Sequence, residues 1–183
     1  MVKQIKVKDI KSMRDYTYNT FKGFMEVSNI ITDNDIELGY KILDMFYGIK
    51  RKDAKLLSIE QYELLIKKVS DTFNDEIKLQ NIIIMDGVQY GFIPKFDDIT
   101  AGELIDLDTL LLEEKWIEIF SILYRPIVGE INRNGEYRIV EYTEYDDKFR
   151  DIDAYTAIAV KNFFYKSCQI LNQHTLLSTL KKK

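Results

Sequence analysis

The chain has 183 residues, of which 46% are hydrophobic and 31% are charged, and its net charge at pH 7 is −4. This composition is typical of a folded protein and excludes a wholly disordered chain. The acidic balance argues against a dedicated nucleic-acid-binding protein, because such proteins usually present a basic surface.

The first segment of the chain is predicted to be extended, and the segments that follow it are predicted to be helical. Residues 2–11 alternate loosely between apolar residues and lysines, which indicates a short edge strand. Ser12 is predicted to cap a helix over about 13–27. A second helix is predicted over about 34–47, with Gly48 at its C-terminal end.

The next two signals are a helix start and a tight turn. Ser58 lies three positions before Gln61, which is the capping-box spacing at the start of a helix that ends near 73–74. The pattern then changes to two apolar runs over about 79–93, separated by Asp86-Gly87. An Asp-Gly pair between such runs predicts a β-hairpin, because a type I′ turn needs positive φ at both central residues.

The central stretch 96–126 contains two predicted helix starts. Thr100 and Glu103 have the capping-box spacing, and Asp108 is predicted to cap a second, longer helix after a break at 106–108. Pro126 is predicted to end that helix near residue 124. The second helix has one apolar stripe and an opposite wet face. The stripe is formed by Leu112, Trp116, Ile119, Phe120 and Leu123, and the wet face by Glu114, Glu118 and Ser121.

The C-terminal part is predicted to contain a second hairpin and a long helix. Asn134-Gly135 separates the two strands of a hairpin over about 127–141. The final helix, near 153–173, has apolar residues on nearly every side, so it is either buried or in contact with a partner. Together these elements predict one α+β domain over 1–183, predominantly helical, with two β-hairpins.

No cofactor or catalytic motif is found in the sequence. Phosphate-binding glycine loops are absent, and no run of about 18 apolar residues predicts a membrane span. Cys168 is the only cysteine and His174 the only histidine, which excludes a disulfide within the chain and an ordinary zinc site. We interpret Cys168 as a small apolar core residue and His174 as an exposed residue of the C-terminal tail, rather than the two as a cysteine–histidine nucleophile pair.

Three groups of charged residues have a second possible interpretation. The acidic clusters at 33–37 and 106–108 resemble the start of a calcium loop but lack its glycine, so helix capping is expected. Asp98, Glu113 and Lys115 match the residue types of metal-dependent nucleases, although the local pattern is helical. Arg125 could bind phosphate, but a pair with a carboxylate is expected from its acidic neighbours.

The stretch Phe92–Pro126 resembles a segment of virion-associated proteins from crAss-like and related tailed phages. The similarity is carried by Phe92-Ile-Pro, Phe96-Asp-Asp-Ile-Thr-Ala-Gly-Glu, Ile105-Asp-Leu-Asp, Trp116 and Ile122-Leu-Tyr-Arg-Pro, and it covers 35 of the 183 residues. The resemblance implies a structural protein of the virion. The natural place is the head-to-tail connector, a ring protein beneath the portal, made in the bacterial host cytoplasm.

Several expectations follow from this resemblance. The partners would be further copies of the chain, the portal and other ring or tail proteins. DNA would pass nearby without being bound specifically, and we expect no membrane contact and no cofactor. We expect Tyr124, Arg125, Phe163 and Phe164 to lie at interfaces, because aromatic residues and arginine are enriched there. The alternatives are a tail-assembly chaperone absent from the mature virion and, third, the metal-dependent nuclease.

Overall fold

The computed structural model describes residues 7–30, 35–94 and 99–166. It confirms the predicted α+β fold, which is predominantly helical and includes a four-stranded antiparallel sheet. The chain divides into two compact units, and its organisation as one domain over 1–183 stays a prediction. The first unit comprises Met1–Ile77 and Asp153–Ile158, and the second comprises Lys78–Ile152 and Ala159–Lys183.

The first unit is helical, and two of its helix boundaries agree with the sequence signals. Its helices are α1 (Tyr18–Ile30), α2 (Asp35–Tyr47), α3 (Arg51–Ala54) and α4 (Ile59–Thr72). Gly48 follows α2 with φ +69°, as expected of a C-terminal glycine. The Ser58 hydroxyl accepts a hydrogen bond from the Gln61 amide at 3.2 Å, so the predicted capping box starts α4.

The predicted helix at 13–27 begins later than expected, and this is a correction. Ser12 caps only a short 3₁₀ turn, Met13–Asp15, in which the Asp15 carboxylate accepts a hydrogen bond from the Ser12 amide at 3.0 Å. The backbone then extends through Thr17, which pairs with Asp153, before α1 starts. Residues 7–11 form no strand, and residues 1–6 of the predicted edge strand lie outside the described residues.

Aromatic rings hold the core of the first unit together. The Tyr16 ring packs edge-on against Phe46 at 4.8 Å between centroids, and its hydroxyl is 2.8 Å from the Thr72 hydroxyl. Phe24 contacts both Phe46 and Phe73. One buried cluster comprises Ile10, Met13, Tyr16, Phe24, Ile42, Phe46, Val69 and Ala154, and a second comprises Leu43, Ile49, Ala54 and Leu65.

The second unit combines a sheet with helices. Its elements are β1 (Ile82–Met85), β2 (Val88–Phe92), α5 (Ala101–Leu112), α6 (Trp116–Leu123), β3 (Tyr124–Val128) and β4 (Arg138–Ile139). A last helix, α7, covers 154–166, and its residues from Ala159 onward belong to this unit. The strands lie in the order β1-β2-β3-β4, with every neighbouring pair antiparallel.

Both predicted hairpins are strand pairs in the structure. Asp86 and Gly87 have φ values of +49° and +78°, as a type I′ turn requires. In the second pair Ile127 lies opposite Ile139, but β3 ends at Val128 and β4 begins at Arg138, so a longer connection joins these strands than the predicted two-residue turn. Gly135 has φ +80° but Asn134 does not have a positive φ, so the type I′ turn predicted at Asn134-Gly135 is wrong. The strand β3 starts at Tyr124, earlier than expected, so the chain enters a strand directly where α6 ends.

The predicted helix break at 106–108 is wrong. Asp108 lies inside α5, which continues to Leu112, and the break falls at 113–115, where Glu114 has φ +54°. Leu107 and Leu110 are buried, so packing keeps the helix intact through its aspartates. Ser121, expected on a wet face, is also buried, and its hydroxyl accepts the Asp146 amide at 2.9 Å.

Candidate functional site

The first turn of α5 is held by a buried carboxylate. The Glu103 amide donates to the Thr100 hydroxyl at 3.3 Å, and the Thr100 amide donates to Glu103 Oε2 at 2.6 Å. This closes the predicted capping box. Glu103 is nevertheless buried, so its second oxygen needs a partner that can stabilise its charge away from water.

Arg125 of β3 provides that partner. Its Nη2 lies 2.8 Å from Glu103 Oε1, and only 14% of the Arg125 side chain is exposed. The structure therefore places Arg125 in the expected carboxylate pair. Its Nε is buried and has no hydrogen-bond partner among the described residues. The pair connects the first turn of α5 to β3 and, with the buried Leu107 and Leu110, holds one side of the helix inside the second unit.

With that orientation, one side of α5 exposes large apolar side chains. Leu104, Ile105 and Leu112 lie within one arc of the helix, and Leu112 is 89% exposed. The opposite arc carries the buried Leu107 and Leu110. A helix normally turns its apolar residues towards the core, so three such residues on the outer side are an unusual arrangement that often marks an interaction site.

Tyr165 of α7 extends the exposed apolar area next to Leu112. Both residues line a groove of about 500 Å³, together with Asp108, Leu111, Glu114, Trp116 and Phe164. The Trp116 ring forms one wall of the groove, and Lys161 Nζ lies 4.5 Å from its centroid. We refer to Leu104, Ile105, Leu112 and Tyr165 as the α5 surface.

The α5 surface lies in an acidic part of the chain. Residues 97–118 contain eight acidic residues and one lysine. Asp108 and Glu114 are at the groove itself. Asp106 accepts a hydrogen bond from the Tyr142 hydroxyl, and burial, followed by this bond, raises the pKa of Tyr142. The arrangement favours a partner that offers apolar side chains with neutral or basic neighbours.

The four residues expected at interfaces lie at different depths in the second unit. Tyr124 is 1% exposed, and its hydroxyl donates to the Gln80 carbonyl at 2.5 Å. Phe164 is buried and lies edge-on to Trp116. Phe163 is half-buried, with its ring centroid 5.4 Å from that of Phe92. Tyr124 and Phe164 thus pack within their own unit. An interface role for these residues, as for the paired Arg125, remains a prediction.

The α5 surface was missed by sequence analysis. The misplaced break at 106–108 assigned Leu104 and Leu112 to different helices, so their shared side could not be recognised. Leu112 was placed on the buried stripe with Trp116, which the structure corrects. A single helix drawn from the Thr100 cap through Leu112 would have shown the pattern.

The residues considered for metal chemistry do not gather in the described parts of the chain. Glu113 and Lys115 form an exposed ion pair of 2.6 Å, and Asp98 lies outside the described residues. Over residues 7–30, 35–94 and 99–166, no group of three or more His, Cys, Asp or Glu side chains could hold a metal ion. Cys168 and His174 are also outside the described residues.

A second, smaller cavity lies beside Arg125. Its volume is about 130 Å³, and its lining includes Tyr90, Ser121, Tyr142 and Phe149. Its charged lining residues have both signs, and Lys148 pairs with Asp146 there. This mixture gives the cavity no preference for a ligand of either charge.

Comparisons with known proteins do not assign the chain to a family. No family model, no curated protein and no solved structure matches it. In the described part of the chain, no helix has the length and hydropathy needed to cross a membrane.

Proposed function

We propose that this chain is a structural protein of a tailed-phage virion, which forms a ring at the head-to-tail connection beneath the portal. The resemblance of residues 92–126 to virion-associated phage proteins suggests the setting. One observation supports a role in assembly: the α5 surface exposes large apolar side chains on a helix whose other side is fully packed.

The exposed side chains are large enough to matter for association. Complete burial of one leucine or isoleucine side chain contributes about 1.5–3 kcal/mol. Leu112 is 89% exposed, so nearly all of its contribution is available to a partner. Tyr165 adds an aromatic residue, the class that most often dominates binding energy at interfaces.

A ring needs a heterologous contact, in which one surface of each copy meets a different surface of the next copy. The acidic residues around the α5 surface would then face a neutral or basic area of the neighbouring copy. The same acidic character suits a protein beside moving DNA, because carboxylates do not bind the phosphate backbone.

The proposal is tested by the molar mass of the purified protein, measured by light scattering alone and with the portal protein. We expect wild-type protein to form a ring in at least one of these conditions. Leu112→Asp should prevent ring formation because it places a charge in the contact. Leu64→Asp in α4 is the matched control, since Leu64 is also exposed but lies in the first unit.

Two results would contradict the proposal. One is a Leu112→Asp protein that assembles as well as the wild type. The other is the absence of this chain from purified virions by mass spectrometry, which would favour the assembly chaperone instead.

A further inference from the structure

The two edge strands of the sheet in the second unit differ in how well they are protected against pairing with a strand from another chain. One edge strand, β4, has two residues and includes Arg138, and both features discourage pairing with another chain. The other, β1, reads Ile-Ile-Ile-Met and has no charged residue or proline. Natural proteins usually block such an edge, so an uncharged, isoleucine-rich edge strand indicates a site for a further strand.

The register shows which backbone groups β1 offers. Met85 pairs with Val88 across the two-residue turn, and the Phe92 amide donates to the Asn81 carbonyl at 2.8 Å. Hydrogen bonds alternate along an antiparallel pair, so the amide and carbonyl groups of Ile82 and Ile84 point away from β2. Among the described residues, no strand pairs with this side of β1.

We propose that β1 is a self-association edge, at which the β1 strands of two copies of this chain pair antiparallel across a two-fold axis. In the matching register, Ile82 of each copy lies opposite Ile84 of the other. Each of these two residue pairs exchanges two backbone hydrogen bonds. The contact is isologous, so each copy uses the same edge and no second complementary surface is required.

Side chains and charge favour a second copy as the occupant. Ile84 is 68% exposed and would be covered by a β-branched residue from the other strand, a favourable cross-strand pair. The acidic residue after β1, Asp86, would come alongside the segment 78–81 of the other copy, which contains Lys78 and no acid. In this register no two like charges face each other.

This inference goes beyond the proposed ring. A two-fold contact joins two copies and stops, so it cannot close a ring by itself. It describes the free protein and uses β1, whereas the proposed ring contact uses the α5 surface. The two can therefore be tested separately, by placing the β1 variants in the Leu112→Asp background.

The test is the mass of the full chain by sedimentation equilibrium over a range of concentrations. In the Leu112→Asp background we expect a monomer–dimer equilibrium. Adding Ile84→Pro removes an outward amide that makes no bond to β2, so the intramolecular ladder is unaffected. Two hydrogen bonds of the symmetric contact are lost, and the dimer dissociation constant should rise about tenfold or more.

A second variant covers the possibility that Ile84→Pro disturbs the hairpin, which circular dichroism and thermal unfolding would reveal. Ile84→Lys introduces a charge at the edge and should also weaken the dimer. Its matched control is Val88→Lys, because Val88 is an exposed residue of the same hairpin on an inner strand. That protein should dimerise like its parent.

Three results would overturn the inference. The first is a Leu112→Asp protein that stays monomeric at every concentration. The second is a dimer that Ile84→Pro and Ile84→Lys leave unchanged. The third is a series of larger oligomers abolished by these changes, which would mean that β1 pairs with a different strand in head-to-tail order.

Discussion

Arg125 and Glu103 form a buried ion pair that connects β3 to the first turn of α5, with 2.8 Å between guanidinium and carboxylate. The Glu103 carboxylate also accepts a hydrogen bond from the Thr100 amide at 2.6 Å. The Glu103 side chain therefore serves both in the helix cap and as the counter-ion of Arg125. Local capping and tertiary packing therefore depend on the same residue. The pair holds the first turn of α5, and the buried Leu107 and Leu110 hold its later turns, so the α5 surface remains on the outer side.

Glu103→Ala should be strongly destabilising. It leaves Arg125 charged, buried and unpaired, and removal of one partner of a buried pair typically costs about 3–5 kcal/mol. The free energy of unfolding from urea denaturation measures the loss. Glu113→Ala is the control, because its ion pair with Lys115 is solvent-exposed and should contribute almost nothing. Equal stability of the Glu103→Ala and wild-type proteins would contradict the structural role of the pair.

Truncation of two leucines of α5, two positions apart, should reduce stability strongly at one position and hardly at the other. Leu110 is 1% exposed, so Leu110→Ala leaves a cavity and should cost about 2–5 kcal/mol of unfolding free energy. Leu112→Ala removes a solvent-exposed side chain, so the stability of the isolated chain should change by less than about 0.5 kcal/mol. Comparable losses in the two variants would show that Leu112 is covered within a single chain.

Alanine substitution at two glycines of the second unit should change the stability of the protein in opposite directions. A Cβ at Gly91 would lie 2.3 Å from the Tyr137 ring, and that ring is fixed by its hydroxyl donating to the Phe92 carbonyl at 2.8 Å. Gly91→Ala should therefore cost about 1–3 kcal/mol. At Gly102 in α5 the nearest side-chain atom is 4.0 Å away, so Gly102→Ala should stabilise the protein by up to about 1 kcal/mol. Thermal unfolding of both variants measures the difference, and a stabilised Gly91→Ala protein would be inconsistent with this packing.

Tyr16 should contribute to a fall in stability at alkaline pH, together with other tyrosines whose pKa is raised by burial, such as Tyr47. Burial raises the pKa of Tyr16 from 10.0 to about 12, although its hydrogen bond to Thr72 opposes part of this rise. The folded state therefore disfavours the tyrosinate, and the contribution of Tyr16 is fully present below pH 10 and decreases between pH 10 and about 12. Unfolding free energies across this range should decline less steeply in Tyr16→Phe. An identical decline in both proteins would contradict the assignment.

The parts of the fold that were predicted correctly depend on residues close together in the chain. The capping boxes at Ser58 and Thr100 each need one hydroxyl and one side chain three positions later. The turn at Asp86-Gly87 needs two residues that tolerate positive φ, and these are read directly from their types. The candidate site was not predicted at all, because it is defined by which side of α5 remains exposed.

The incorrect predictions occurred where local preferences compete with packing. An aspartate pair at 106–108 favours a helix start, but burial of Leu107 and Leu110 holds one helix through it. Ser12 has the local geometry of a helix cap, yet the chain after it extends to pair with Asp153, which is distant in sequence. Neither outcome can be inferred from a short window, because the deciding contacts come from elsewhere in the unit.

The amino-acid order alone determined the helix caps at Ser58 and Thr100, the turn at Asp86-Gly87 and the α+β class, since these follow from backbone preferences and hydrogen bonds within a few residues. Tertiary structure decided which apolar side chains are covered: Ile83 is buried and Ile84 exposed, Leu110 is buried and Leu112 exposed. All four are aliphatic residues of similar hydrophobicity. Only the position of neighbouring elements distinguishes them, because hydrophobic burial has no direction of its own and follows whichever side the fold closes.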